Sequence, residues 1–599
     1  LTSPAGNAGV CGIKEQFIIK IDKPTNPNLE SLKRKSEDTE NDDENKKNKC
    51  DESNERKNKR KGQNKARPKT FKDDKENKPC PSIINLTSAD KLVACQFNNC
   101  KYIHDPQEYL KIKPKDLGQQ CHMFTIRGQC PRGIACRFGS GHITAEGYNI
   151  VNENKLKEWK EDTKNVLQGA LQKSLQKRLY DFSLAENLIK IVDKRDKNRK
   201  NTYSVPGSNS SINQSLETDD SVDKKVSNSG AVTDEDLIKT LPSEKKIIDW
   251  NDKLYLSPLT TVGNLPFRRI CKEYGADITC GEMALCEPLL KGFKQEWALV
   301  KRHESEDIFG AQICGNNVYT ITKVAQVLKE QTELDFIDLN LGCPIDLIYK
   351  KGGGSGMMHR LPTLEVSVKC ASKILNLPFT VKMRTGIYKD MRIAHTVMPK
   401  VAQWGASLIT LHGRTKEGRY TKMADWEYIE ECAKAAKPCP VYGNGDILSY
   451  EDYVKKREIA PSVKGVMIGR GALIKPWLFT EIKEQKLWDI SSTERFDIIK
   501  KYTNYGLEHW GSDTQGVENT RRFLLEWLSF LYRYVPVGLL ERPPQKINER
   551  PPAYFGRNDL ETLMASGNCA DWIKISEMLL GPVPDGFQFL PKHKANSYQ

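Results

Sequence analysis

From residue 247 to about 485 the chain repeats one unit: a short apolar run, then a helical pattern. Eight such runs are present, at 254–259, 277–283, 308–313, 335–340, 379–384, 407–412, 440–443 and 465–469. Eight strand–helix units in about 230 residues predict an α/β fold of one kind, a parallel (β/α)8 TIM barrel. A doubly wound open sheet is the alternative. It is expected to carry a Gly-rich fingerprint after its first strand, and LSPLTTVGN has none.

Side chains alternate faces along a strand, so each run can be divided into a wall side and a lumen side. In DFIDLNLGCP (335–344), Ile337, Leu339 and Leu341 share one face and Asp338 and Asn340 the other. Gln312 is out of phase with Phe309, Ala311 and Ile313; Lys382 and Arg384 oppose Phe379, Val381 and Met383; His412 opposes Ile409 and Leu411. Four strands thus end in polar lumen residues, at the end where this fold places active sites. Gly342 permits a tight turn, Pro344 stops the ladder, and Cys343 is presented between them. By itself, a cysteine that merely packs in a turn is at least as good a reading.

The rest of the chain divides around the barrel at 247–488. Residues 1–78 are too polar to bury a core and are expected to be disordered; positions 56–69 hold eight basic residues and no acidic one. That run is a nuclear-import signal, a phosphate-binding arm or simply a solvated tail. A Cys/His block occupies 79–145, and helix and linker fill 146–246. In the latter, Leu167, Leu171, Leu175, Leu179 and Phe182 recur at helical spacing, which predicts an amphipathic helix packed on a neighbour. RRFLLEWLSFLYRY lies in a helical domain over 489–599. A net charge of +15 points to a polyanionic partner. The odd total of 17 cysteines, eight of them by Cys136, reads as a reducing compartment with zinc rather than disulfides. No apolar run reaches the roughly 18 residues of a membrane span. Because the first residue is Leu, a preceding segment is expected, and the missing targeting signal excludes little.

In the Cys/His block, Cys80, Cys95, Cys100 and His104 are separated by gaps of fourteen, four and three; Cys121, Cys130, Cys136 and His142 by eight, five and five. Four thiolate and imidazole ligands bind zinc and fold a segment too small for a core. The set resembles a pair of CCCH zinc fingers, with Cys80 and His142 at unusually long gaps. Phe97, Lys101, Tyr102, Phe124, Arg127, Arg132, Arg137 and Phe138 lie among the ligands. Rings that stack bases beside cations that meet phosphates suit single-stranded RNA; a zinc module that binds protein is the competitor.

Glycine-rich turns follow the seventh and eighth runs, YGNGDI and MIGRGAL, where this fold usually holds phosphate. A phosphate there, with Lys382 and Gln312 facing the centre, suits flavin mononucleotide. SPLTTVGNLPFRR, AQICG, DLNLGCP, VKMRTG, LHGRT, YGNGDI and MIGRGAL, in this order, resemble the tRNA-dihydrouridine synthases. The fingers point to the eukaryotic subclass that modifies position 47 of the variable loop. The resemblance implies FMN held by Pro258, Leu259, Thr260, Gln312, Lys382, His412, Asn444, Gly445, Asp446, Gly469 and Arg470, with NADPH as reductant. It implies Cys343 as general acid, and it implies a C-terminal tRNA-binding domain carrying Arg521, Arg522, Arg533 and Lys546. Ser355 stands where that subclass carries Cys, a difference expected to leave the chemistry unchanged.

Reduction of uracil's C5=C6 bond puts hydride on C6 and requires a proton at C5. A thiol with an ordinary pKa of about 8.5 is mostly protonated at neutral pH and suits that role. A nucleophilic thiolate is the rival and needs a base that the neighbouring sequence does not offer. Asn340, Arg384 and Arg414 are candidates to meet the substrate; for the arginines, structural salt bridges are an equal alternative. The expected partner is tRNA, with mRNA left open, in cytoplasm or nucleus; a monomer is expected. Two other functions remain: an FMN barrel reducing a small enone or dihydropyrimidine, and a non-catalytic RNA-binding protein.

Overall fold

The computed structural model describes residues 9–19, 68, 71, 75–91, 94–202, 245–389, 391–418, 420 and 422–592. Its centre is a closed parallel barrel of β1 (Leu254–Leu256), β2 (Ile278–Cys280), β3 (Ile308–Cys314), β4 (Phe336–Leu341), β5 (Phe379–Arg384), β6 (Leu408–His412), β7 (Val441–Asn444) and β8 (Gly465–Ile468). Each strand pairs with the next in chain order, and β8 returns to β1 through Met467 opposite Tyr255.

The period-two pattern sorts the wall from the lumen. Phe309, Ala311, Ile313, Ile337, Leu339, Val381, Ile409 and Leu411 join the core under the helices. Tyr255, Ile278, Phe336, Leu408, Tyr442 and Met467 close the N-terminal end of the lumen above Trp250. The rings there meet edge to face, each pair adding about 0.5–1.5 kcal/mol beyond its area. Gly310 makes the plug possible, because a Cβ there would lie 2.2 Å from the Phe336 ring.

The C-terminal helices α1 (Ser492–Trp510), α2 (Thr514–Leu531) and α3 (Cys569–Leu580) pack on one side of the barrel. A capping box at Ser491 and Glu494 starts α1, and Asp513 caps α2. The Trp527 indole of α2 donates to the Leu473 carbonyl at 3.0 Å, fastening the bundle to the barrel. Arg521 is fully buried, donating to Ser576 Oγ and to the carbonyls of Leu580, Gly581 and Pro582. It ties α2 to the end of α3 instead of offering charge to RNA. Arg533 is also largely enclosed and donates to the Ile547 carbonyl, whereas Lys546 is exposed.

Three regions differ from the sequence expectation. Residues 9–19, inside the segment expected to be disordered, lie along the helical domain, with Cys11 and Ile13 buried and backbone hydrogen bonds to Leu539 and Arg550. Two apolar side chains suffice for this because residues 539–555 supply a matching edge. The basic run at 56–69 lies outside the described residues except for Pro68. The leucine stripe at 167–182 is not one helix: Gly169–Gln176 ends, Arg178 takes φ +57°, and Ser183–Thr202 follows. Leu171 and Leu175 join the barrel core, but Leu179 is 73% exposed. Among the described residues no helix is long and apolar enough to cross a membrane.

Candidate active site and metal centres

Strand register builds the lumen in rows. Gln312, Asp338 and Thr380 are level with one another, as are Asn340, Lys382 and Thr410, and then Arg384, His412 and Asn444. A hydrogen-bonded chain crosses these rows. The N–H groups of Gly342 and Cys343 donate to Asn340 Oδ1 at 3.0 and 2.8 Å. The Asn340 amide must then present its NH2 to Gln312 Oε1, at 2.9 Å. Gln312 in turn donates to Asp338 Oδ2 at 2.8 Å, and Thr380 donates to Asp338 Oδ1 at 2.6 Å. Each amide can face only one way, so a fully buried carboxyl group orients the turn that carries Cys343. Burial raises the Asp338 pKa above the usual carboxylate range.

Cys343 is held from its other side as well. The Ser355 hydroxyl donates to the Cys343 carbonyl at 2.8 Å, with the Ser355 N–H at 3.3 Å. Gly354 has φ +53°, and a Cβ there would sit 3.0 Å from the Cys343 Cβ. Burial raises the thiol pKa, against the opposing pull of the Ile345 N–H, Arg384 and Lys382. The thiol form is therefore the resting form at neutral pH.

Lys382 is the lumen cation. Burial, then Arg384, lowers its pKa to about 8. Its ammonium has no hydrogen-bond or ion-pair partner among the described residues. His412 is held neutral by burial and by the surrounding cations. Its Nε2 lies 3.3 Å from Arg414 Nη1, which can only donate, so the ring proton belongs on Nδ1. Both candidate arginines are engaged by the protein: Arg384 donates to the carbonyls of Gly342 and Thr415, Arg414 to Lys422 and Asp446. These contacts brace the loops after β4, β5 and β6.

The phosphate-type corner is assembled where β7 and β8 end. Asp446, at φ +57°, accepts from Arg414, Arg470 and the Ala424 N–H, while Asn444 donates to the Met467 carbonyl. Gly445 has φ +136°, and a Cβ there would lie 2.5 Å from that of Ala424. Burial lowers the Arg470 pKa to about 10. Gly469 faces Leu259 across the barrel closure, a Cβ there lying 3.6 Å from Leu259 Cδ2. Pro258 and Leu259 are half-buried in the loop after β1, whereas Thr260 is exposed at its edge.

The Cys/His block forms two clusters, Cys80–Cys95–Cys100–His104 and Cys121–Cys130–Cys136–His142. In each, one ligand atom per residue lies within 4.8 Å of the others. Three sulfurs and one imidazole nitrogen are the donor set of a structural zinc site. His142 fits especially well: Nδ1 lies 3.2 Å from Asn149 Oδ1, leaving Nε2 buried without a protein partner. The long gaps therefore bring Cys80 and His142 into their clusters.

The side chains among the second set of ligands face the protein. Phe138 is buried with Cys121, Cys130 and Cys136 against Leu507, Val517 and Leu580. Arg132 donates to the Trp510 carbonyl, and Arg137 to Thr514 Oγ1 and the Lys115 carbonyl. His122 and the barrel's Arg269 share the carboxylate of Glu508 on α1. In the first cluster, Phe97 is 74% exposed and Lys101 is exposed.

Comparison with known proteins gives a consistent result. Residues 255–529 match the family model described as Dihydrouridine synthase (Dus). A "tRNA-dihydrouridine(47) synthase [NAD(P)(+)]-like" protein of Xenopus laevis is 55% identical over 543 residues, covering 90% of this chain and 83% of that protein. The Homo sapiens protein of that name is 52% identical over 564 residues (90% and 84%), and the Arabidopsis thaliana one 40% over 589 residues (87% and 85%). The chain belongs to the dihydrouridine synthase family.

In this dihydrouridine synthase the structural roles of three residues were not legible in the sequence. Asp338 was visible on the inner face beside Asn340, but the pattern does not say that it anchors two amides. Ser355 contacts the catalytic-candidate turn directly, which its place in a glycine-rich loop did not signal. Glu282 accepts the Thr261 N–H at 2.6 Å and so braces the loop after β1, where Thr261 has φ +80°. A non-glycine residue at that angle is uncommon, and the Glu282 contact holds it there.

Proposed function

We propose that this protein reduces the C5=C6 bond of a uridine in tRNA to 5,6-dihydrouridine, at position 47 of the variable loop, using FMN and NADPH. One observation carries the reading. A protonated Cys343 and an unpartnered Lys382 ammonium share one lumen, in a chain more than half identical to proteins named for this activity.

The residues present fit a flavin. A half-buried ammonium without an anion is costly to keep charged, and Lys382 gains one if the flavin ring's electron-rich edge lies beside it. Gln312, Asn340 and His412 offer oriented polar groups around the same space, and Arg470 with Gly445 and Gly469 suits the phosphate. When bound, FMN supplies the hydride that C6 receives. Cys343 Sγ gives its proton to C5, and the thiolate left behind is favoured by Arg384 and Lys382, whose charges pull the thiol pKa down. Asn340 and Ser355 hold the backbone on either side of Cys343, so the thiol does not have to be positioned anew in each turnover. A uridine inside folded tRNA must leave its stack to reach this lumen. Zinc in both clusters completes the holoenzyme.

The test is to incubate the purified holoenzyme and NADPH with tRNA from cells lacking it, then map dihydrouridine by mass. Dihydrouridine at position 47 is expected. Its absence from every tRNA, alongside rapid reduction of a small enone, would replace this reading with that of a small-molecule reductase.

A further inference from the structure

Among the described residues twenty large hydrophobic side chains are exposed, and six of them belong to three consecutive barrel loops. Ile345 and Leu347 follow β4, Tyr388 and Met391 follow β5, and Tyr420 and Met423 follow β6. These strands are neighbours, so the six form one arc on the side of the mouth that carries Cys343. Leu347, only four positions from Cys343, is 70% exposed. A contiguous exposed apolar rim of this kind marks a contact surface.

The arc is built firmly. The Lys416 ammonium lies 4.2 Å from the Tyr349 ring centre and 3.3 Å from Asp346. The N–H groups of Lys416 and Glu417 donate to the carbonyls of Gly386 and Ile387, and Tyr388 lies against the His359 ring. The loops after β4, β5 and β6 thus brace one another; Tyr420 lies over His412, Arg414 and Arg470 and Met423 meets Asn548, while the tips at Ile345, Leu347 and Met391 stay exposed. The charge around the tips is positive: Lys350, Lys351, Lys389 and Lys422 are exposed. The described acids of these loops are already engaged, Asp346 by Lys416, Glu417 by the Lys389 N–H and Asp425 by Arg392. Apolar tips among exposed lysines suit nucleic acid, whose bases stack and whose phosphates meet lysine.

We propose that this arc is a wedge for RNA: Ile345 and Leu347 enter the stack vacated by the target uridine, and Tyr388 and Met391 receive the adjoining base. It rests on the proposed function and extends it. A base drawn to Cys343 leaves a gap beside its neighbours, and apolar side chains inserted at unstacked steps hold such gaps open. The occupant is the pair of nucleotides flanking the uridine, not a protein.

The test uses the full chain with flavin and zinc, and a tRNA transcript carrying 2-aminopurine next to the target uridine. Binding of the unaltered protein is expected to raise 2-aminopurine fluorescence as the base unstacks. Leu347→Ala should suppress that rise and lower kcat/KM on folded tRNA by about 10-fold or more, with the rate of flavin reduction by NADPH unchanged. Leu347→Phe should restore both. On a short unstructured RNA containing the uridine, Leu347→Ala should match the unaltered protein. An equal fluorescence rise and equal kcat/KM for Leu347→Ala overturn the wedge, and so does an equal defect on folded and unstructured RNA. Dihydrouridine formation by the unaltered protein tests the proposed function separately, since the fluorescence change reads unstacking whatever the chemistry.

Discussion

The two Cys/His clusters offer the same donors, three sulfurs and one imidazole, in opposite surroundings. All four ligands of the second are buried, against Leu507, Val517 and Leu580 of the helical domain. In the first only Cys80 is buried, and the loop that carries Phe97 is open to solvent. The second is a joint: Arg132, Arg137 and His122 fasten it to α1 and α2, and through Glu508 it reaches Arg269 on the barrel. The first has a face left over for a ligand. Equal ligand sets therefore do not imply equal roles.

The largest expected effect comes from cutting the joint. Cys136→Ser should lose metal from the second cluster and, with it, the packing on α1 and α2. Apparent metal-binding contributions in isolated fingers are about 10 kcal/mol, comparable to a whole domain's stability. Soluble, yellow protein should become scarce, and a chain starting at residue 247 should fail in the same way. Cys100→Ser in the first cluster should leave thermal midpoint and flavin content near normal. Equal loss of flavin in the two variants would erase the distinction.

A smaller effect separates the two phenylalanines. Phe138→Ala should destabilise by about 3–5 kcal/mol, as for a buried ring, read as a lower unfolding midpoint. Phe97→Ala should leave the midpoint alone and weaken tRNA binding by about 5- to 150-fold, a stacked base being worth about 1–3 kcal/mol. A Phe97→Ala variant that binds tRNA normally would hand the first cluster to a protein partner.

The smallest effect is at the joint's charged core. Burial pushes the Glu508 pKa up, but hydrogen bonds from His122 and Arg269 outweigh it, and the net shift is downward. A carboxylate with a depressed folded pKa stabilises above its unfolded value of about 4.3 and loses that contribution as pH falls through the folded value. Glu508→Gln should lower the melting temperature by a few degrees at pH 7, charge-assisted hydrogen bonds being worth about 1.5–3 kcal/mol. The gap should close as the pH falls below about 4. A gap independent of pH would mean that Glu508 acts through shape alone.

What was legible in the sequence was local. The barrel and the inner face bearing Gln312, Asn340, Lys382, Arg384 and His412 follow from a period of two, which each strand carries within itself. The break at Arg178 and the docking of residues 9–19 depend on partners far along the chain. So does the burial of the second cluster, whose covering residues Leu507 and Leu580 lie several hundred positions away. Arg521 shows the same limit: a basic residue on a helix reads as surface until Ser576 and three carbonyls converge on it.

In the proposed reaction Cys343 is the proton donor to a uridine. The most direct measurement is Cys343→Ala in the full holoenzyme, with flavin content, NADPH reduction and dihydrouridine yield read on one sample. Flavin should stay bound and be reduced at the normal rate, while dihydrouridine formation falls by about 10²- to 10⁴-fold. The unaltered protein should keep its activity through neutral pH; loss of the Lys382 ammonium should lower it from about pH 8, and loss of the thiol proton follows above the ordinary thiol range, because burial raises the Cys343 pKa. Normal dihydrouridine yield from the alanine variant would contradict the account.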